Sequence, residues 1–389
     1  MPYLALALTI AGYLLLMLTN PARGSFRDGW GATRRYPVIW RTLAWLALAN
    51  ALFVFGVRFT THLRGDPQFV WIRSGWNDPS AWLAGTPDSL WWLPPSGLNQ
   101  ALGDSILGGA ELLAGLFNNA VTTFPIAVLI ALGLFFNRRR TFTVVRGALA
   151  RRFGIWAWLL MPVVLLGALA SVAKAVLYFR PSWFPPEWWL QVAPGIAAVS
   201  ACFEYLVGVG VQAYLILHAY AWVRGLSFDS EAMREVAIRR LGAAGKWAAI
   251  VLVAQALFLE MPLVLAFLYG WPAAPEVVTY YLQAVRIGFA GVLIIASMQA
   301  WLTLHGETLR RAWRAHWGFI WNHLWSFVWF LVVAGLHCYA VHFLRVAVLR
   351  GVGDDTALGV AWTFLWPWIF GLTAGWLLAS WVCLFKRSE

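Results

Sequence analysis

Apolar runs of about twenty residues recur along this chain from end to end, and each is long enough to cross a hydrocarbon core of ~30 Å as a helix. That feature sets the fold class: an all-α, polytopic membrane protein. Nine runs qualify as candidate spans, at 2–19, 38–59, 118–136, 155–177, 195–222, 247–269, 279–303, 319–343 and 358–385. Composition agrees, because 12% of the residues are charged, about half the roughly 25% of a soluble domain.

Charge placement predicts the orientation. Lys and Arg near the cytoplasmic ends of spans set topology. With Met1 outside, the inner segments and span starts hold 21 of the 29 basic residues. The acidic residues lean the other way, nine outside against six inside. The chain therefore reads as N-out and C-in, and the net charge of +12 as membrane orientation rather than nucleic-acid binding. Residues 1–19 lack a basic segment ahead of the apolar run, and Arg23, Arg27, Arg34 and Arg35 follow it instead. That order reads as a retained anchor rather than a cleaved signal. Arg outnumbers Lys 26 to 3, the mark of a GC-rich and bacterial genome, so the expected location is a bacterial inner (plasma) membrane.

The chain divides at about residue 136. Region 1–136 carries three spans and a Trp- and Pro-rich outer loop at 60–117, whose second part from about Leu98 to Phe117 is helical in pattern and weakly hydrophobic. It lies at the interface or dips into the membrane, which leaves the span count at eight to ten. Region 137–389 reads as three units, each a basic interfacial helix followed by a transmembrane hairpin. The units open on related patterns: Ala150-Arg151-Arg152-Phe153-Gly154, Ile238-Arg239-Arg240-Leu241-Gly242 and Arg314-Ala315-His316-Trp317-Gly318. Selection for inner positive charge alone also produces Arg ahead of such spans. On these patterns, residues 138–385 loosely resemble bacterial families built from amphipathic-helix and hairpin repeats, such as the membrane domain attached to some glycerophosphodiester phosphodiesterases. The catalytic domain of those enzymes is absent, so the resemblance implies an architecture and no activity.

A polar stripe crosses the fifth span. Ser200, Glu204, Gly208, Val211, Gln212 and His218 project within roughly 120° of one another at about 100° per residue. Lipid does not tolerate such a face, so it looks into protein or a watery cavity. The next spans carry Glu260 and Arg286, and Gln283 and Ser297 share a face with Arg286. Two readings stay open. One is a polar path in which Arg286 sits between the two carboxylates. The other is a structural ion pair that fixes helix packing.

Other residues offer weaker signals. His323 and His337 lie fourteen residues apart, near the spacing of two haem ligands on one helix side, with His218 and His305 as further ligands. Satisfied core histidines are the plainer reading. Cys202, Cys338 and Cys383 lie in spans without CxxC spacing, so neither a disulfide framework nor a zinc site is expected, and His337-Cys338 with His342 as a soft-metal set is a weaker reading than core histidines. Among 27 tryptophans, Trp313, Trp317, Trp321, Trp325 and Trp329 recur every fourth residue. They form either a docking seam for another subunit or lipid-facing bulk with an interface belt. Phosphate-loop, HExxH, GxSxG and dinucleotide motifs are missing. The sequence thus favours a non-enzymatic membrane component, a subunit, scaffold or assembly factor in contact with lipids and other membrane subunits. Its rivals are a transporter with a polar path past Glu204, Glu260 and Arg286, and a lipid-modifying enzyme.

Overall fold

A computed structural model describes residues 2–64, 97–118, 124–136, 157–179, 192–226, 230–255, 275–352 and 357–386, with isolated positions at 139–183 and 257–258. Every regular element among the described residues is a helix. In chain order these are α1 Pro2–Thr19, α2 Arg23–Arg35, α3 Pro37–Arg64, α4 Gly97–Asn118, α5 Phe124–Phe136, α6 Ala157–Phe179 and α7 Ala193–Val223. They continue with α8 Ser230–Gln255, α9 Pro275–Ile295, α10 Met298–His305, α11 Leu309–Asn322, α12 Leu324–Val352 and α13 Ala357–Lys386. Among the described residues, five segments are long and apolar enough to cross a membrane: Pro37–Val57, Val199–Val223, Ala284–His305, Leu324–Leu349 and Ala357–Lys386. The chain is a helical membrane protein.

The last helix is the core. From Leu377 to Phe385 no residue of α13 is more than 3% exposed, as a helix that is apolar all round requires. It packs against α2, α3, α7 and α12. Gly371 and Gly375 permit the approach of α3, because a Cβ at either would lie within 2.8 Å of the Ala44 or Trp40 backbone. Around Trp381 the aromatic rings form one cluster. Phe117 of α4 stacks on it at 4.4 Å, Phe330 of α12 lies at 5.0 Å, and Phe385 at 4.6 Å. Phe385 extends the cluster to Phe319 of α11 and Trp301 of α10.

Two amphipathic helices lie against this core. In α2 the residues Ser25, Phe26, Gly29, Ala32 and Thr33 are buried, at helical spacing, while Arg23, Arg27, Arg34 and Arg35 point outward. In α11 the buried set is Ala312, His316, Phe319 and Ile320, with Arg310, Arg311 and Arg314 outward.

Three sequence expectations meet a different geometry. The weakly hydrophobic segment expected to lie at the interface or dip into the membrane is α4, whose end is core: Leu113, Leu116, Phe117 and Asn118 are all buried. Asn118 closes that helix instead of opening a span. The eighth span does not run straight from residue 319. The helix is interrupted at His323 (φ −121°, ψ 30°), where α11 ends and α12 begins. Hydrogen bonds carry through the bend, from the His323 amide to the Phe319 carbonyl and from the Phe327 amide to the His323 carbonyl. Finally, the Arg239-Arg240 pattern sits inside one continuous helix, α8, whereas the Arg314 to Gly318 pattern precedes the bend. The first pattern of the three lies mostly outside the described residues.

Truncating the residue at the centre of the aromatic cluster should be costly. Trp381→Ala is expected to destabilise the protein by about 3–5 kcal/mol, read as a lower midpoint of thermal unfolding in detergent, while Trp321→Ala on the surface leaves the midpoint within a degree or two.

Candidate functional site

The seventh span is not one helix. α9 ends at Ile295 and α10 starts at Met298, with Ser297 between them at φ −67° and ψ 62°. Those angles, with the Met298 amide donating to the Ala296 carbonyl at 2.6 Å, make a three-residue inverse γ-turn. Proline and glycine are not involved. The break is closed to solvent on all sides, since Ser297, Met298, Gln299 and Leu302 are 0% exposed. Irregular backbone inside a membrane bundle persists where protein, or something bound by protein, supplies its hydrogen bonds.

Part of that supply is visible. In an unbroken helix the Leu293 carbonyl would accept from the Ser297 amide. Here it accepts from the side-chain amide of Asn118, at the end of α4, at 2.8 Å. The Asn118 carbonyl oxygen accepts in turn from the indole N–H of Trp247 on α8, at 2.9 Å. One buried asparagine thus joins α4, α8 and α9 at the break. Next to it, Gln212 of α7 donates to the Leu116 carbonyl of α4 at 2.5 Å.

The other side of the break is less provided for. Helix geometry leaves the Gln299 and Ala300 amides without an intrahelical acceptor, and no side chain caps the first turn of α10. Gln299 is fully buried with neither amide atom bonded. The indole N–H of Trp301 is buried and unbonded as well. His316 of α11 reaches in from the side, its Nε2 lying 3.3 Å from the Ser297 hydroxyl, and its Nδ1 is buried without a partner. Burial pushes the His316 imidazole down from 6.5 to about 4. Trp301 connects this group to the end of α10, its ring lying 5.9 Å from His316 and 4.4 Å from His305. Beyond His305, Gly306 closes α10 in the left-handed region (φ 61°) with the Arg240 guanidinium packed against it. A side chain there would meet both a strained backbone and that guanidinium.

The residues singled out from sequence fall into separate groups. Glu204 faces Lys174 of α6, Nζ to Oε1 2.9 Å, and accepts from Ser200 at 2.6 Å; Ser200 also meets Ser171 at 3.1 Å. Both charged side chains are 13% exposed. The charge beside Glu204 is thus Lys174 rather than Arg286, because α7 packs on α6 whereas Arg286 sits on α9, which packs on α4. The stripe on α7 does turn inward, but its upper residues meet α6 and Gln212 meets α4. His218 packs edge-on against Tyr214 at 4.4 Å. Glu260 and the side chain of Gln283 lie outside the described residues.

The four histidines weighed as haem ligands occupy different environments. His337 bonds the Tyr13 hydroxyl and packs edge-on on Trp376 at 4.6 Å, holding α1 to α12 and α13. His323 packs on Phe319 at the bend, His218 on Tyr214 and His305 on Trp301. Among the described residues, no group of three His, Cys, Asp or Glu is placed to hold a metal ion. The tryptophan row divides at the bend. Trp321 and Trp325 flank it at 70% and 72% exposed, Trp313 is 42% exposed and stacks near Trp247, and Trp317 and Trp329 are half-buried. Sequence reading passed over Asn118, Gln299 and His316 as site residues. Asn118 sat at an assumed helix start, Gln299 followed a serine already taken as part of one helix face, and His316 was read as part of a repeat pattern.

Two outcomes follow from this geometry. Asn118→Leu leaves the Leu293 carbonyl and the Trp247 N–H buried without partners, and should cost roughly 2–6 kcal/mol at about 1–3 for each group, again read from thermal unfolding. His316 sets a pH dependence. The unfolded imidazole takes up its proton near 6.5 and the native one near 4. Between these values the unfolded state binds more protons, so stability rises with pH. Native stability should fall by up to roughly 3 kcal/mol between pH 6.5 and 4, and His316→Gln should flatten that slope relative to the parent chain.

With this geometry in view, comparison with known proteins adds no relative: no family model matches the chain, and no match is found among curated proteins or solved structures.

Proposed function

We propose that this chain is a transport-type membrane protein in which a small polar solute passes the helix break at Ser297, in the inner membrane of a bacterium. The observation that carries this reading is Gln299, fully buried beside interrupted backbone with neither amide atom bonded. A buried, unbonded amide costs about 1–3 kcal/mol, and a protein that merely needs to pack has no use for it. Discontinuous helices at such depth form the binding sites of many transporters. The positive-inside bias of the sequence favours a cytoplasmic side for the α10 end of this span, where Arg224 and Arg240 lie near His305. On this reading the Glu204–Lys174 pair serves packing of α6 on α7, and the path runs instead along Ser297, Gln299, His316, Trp301 and His305.

A second reading, a subunit or scaffold of a larger membrane complex, draws on Trp321 and Trp325. These two large rings stand exposed at the α11–α12 bend. A partner subunit would cover them, and so would the membrane interface, where tryptophan gathers.

Flux separates the readings. Proteoliposomes challenged with a panel of small acids, amino acids and polyols should show protein-dependent movement of at least one solute. Gln299→Leu should reduce that rate at least tenfold, and Trp325→Ala should leave it unchanged. No movement of any solute, together with a stoichiometric partner after mild native extraction, would establish the scaffold reading instead.

A further inference from the structure

We propose that the break at Ser297 is a binding site for a small monovalent oxyanion, of the carboxylate or nitrate class. This deepens the transport reading and rests on it for the route in, though binding itself can be measured apart from flux.

The argument is one of hydrogen-bond chemistry. The first turn of α10 turns its amide dipoles toward the break, and a helix N-terminus favours negative charge there. Side chains on a helix lean toward its N-terminus, so Gln299, the second residue of α10, leans toward that same turn. Its NH2 group supplies two further donors. His316 is aimed at the turn by its 3.3 Å contact with the Ser297 hydroxyl. The Trp301 indole adds a donor that cannot accept, one turn along. The set is rich in donors and contains no carboxylate. Of the acidic residues nearby, Glu204 meets Lys174, Glu231 meets Arg234, Glu235 meets Arg239 and Glu111 points outward, while Glu307 lies beside His305 at the far end of α10. A cation would find the Ser297 hydroxyl, the Gln299 side-chain carbonyl and the last carbonyls of α9, which helix geometry also leaves without partners. An anion would find the helix terminus and the three side chains.

Ser297, Gln299 and His316 are each 0% exposed, so a ligand on them is shut off from the lipid, which favours a free oxyanion over one carried on a lipid. The far end of α10 carries both signs, with Arg240 against Gly306, Arg224 nearby and Glu307 beside His305.

The test uses the full chain in nanodiscs of zwitterionic lipid, with 14C-formate as the probe. Saturable binding near one per chain is expected, displaced by nitrate and unaffected by equal concentrations of urea or choline. Gln299→Glu replaces the NH2 donors of the site by an oxygen without changing its shape and should weaken binding at least tenfold; His316→Gln should weaken it severalfold. No saturable formate binding to the parent chain would overturn the proposal, as would equal displacement by urea. Unchanged affinity in a monodisperse Gln299→Glu protein would do the same. The unmodified chain answers the first two points, so misfolding of a variant does not blur the result. Formate binding without flux would leave the site standing and remove the transport reading. Flux of other solutes without formate binding would do the reverse.

Discussion

The hydrogen bond from the Asn118 amide to the Leu293 carbonyl is the contact on which the rest of this arrangement depends. Inside a membrane bundle a carbonyl that loses its helical partner has no water to turn to. The turn at Ser297 creates such a carbonyl, and α4 ends where its last side chain can satisfy it. Trp247 then fixes which way the asparagine faces. The interruption is thereby built into the packing of α4, α8 and α9 rather than tolerated as a local defect. It also lets α10 run as an eight-residue helix enclosed by α4, α7, α8 and α11, with its N-terminus inside the protein.

Two kinds of core meet at this point. Around Trp381 the packing is aromatic and complete, with ring contacts running from α4 through α12 and α13 to α10. Around Ser297 it is polar and incomplete, with Gln299, Trp301 and His316 each holding at least one unbonded polar atom. Trp301 belongs to both, its ring packed on Phe385 and its N–H turned to no partner. A rigid aromatic wall beside a set of unsatisfied donors is how a pre-organised site is built. The Glu204–Lys174 pair differs in kind. Its charges are matched, and Ser200 gives Glu204 a further donor, so its geometry is that of a helix clamp.

The helical class and the membrane character were legible in the apolar runs, because burial in lipid demands length and hydrophobicity that sequence shows directly. The inward turn of the α7 stripe was legible for the same reason. Which helix it would meet was not, since periodicity fixes a face and leaves the neighbour open, and Lys174 lies in another apolar run. The break at Ser297 carries no proline or glycine, so no local signal marks it. What stabilises it is Asn118, 175 positions away. The bend at His323 was hidden by a tryptophan period that continues across it. Expectations that rested on Glu260 and Gln283 fall outside the described residues.

The central claim is that this buried polar break is reached by solutes. A background lacking Cys202, Cys338 and Cys383 permits a direct measurement, the rate at which a small water-soluble methanethiosulfonate modifies Ser297→Cys. Leu302→Cys, equally buried on the short helix α10 that follows, is the control. The account predicts modification of the Ser297 position at least tenfold faster than the control, slowed by formate. Equal and negligible rates at the two positions would contradict it, and would make the break a feature of packing alone.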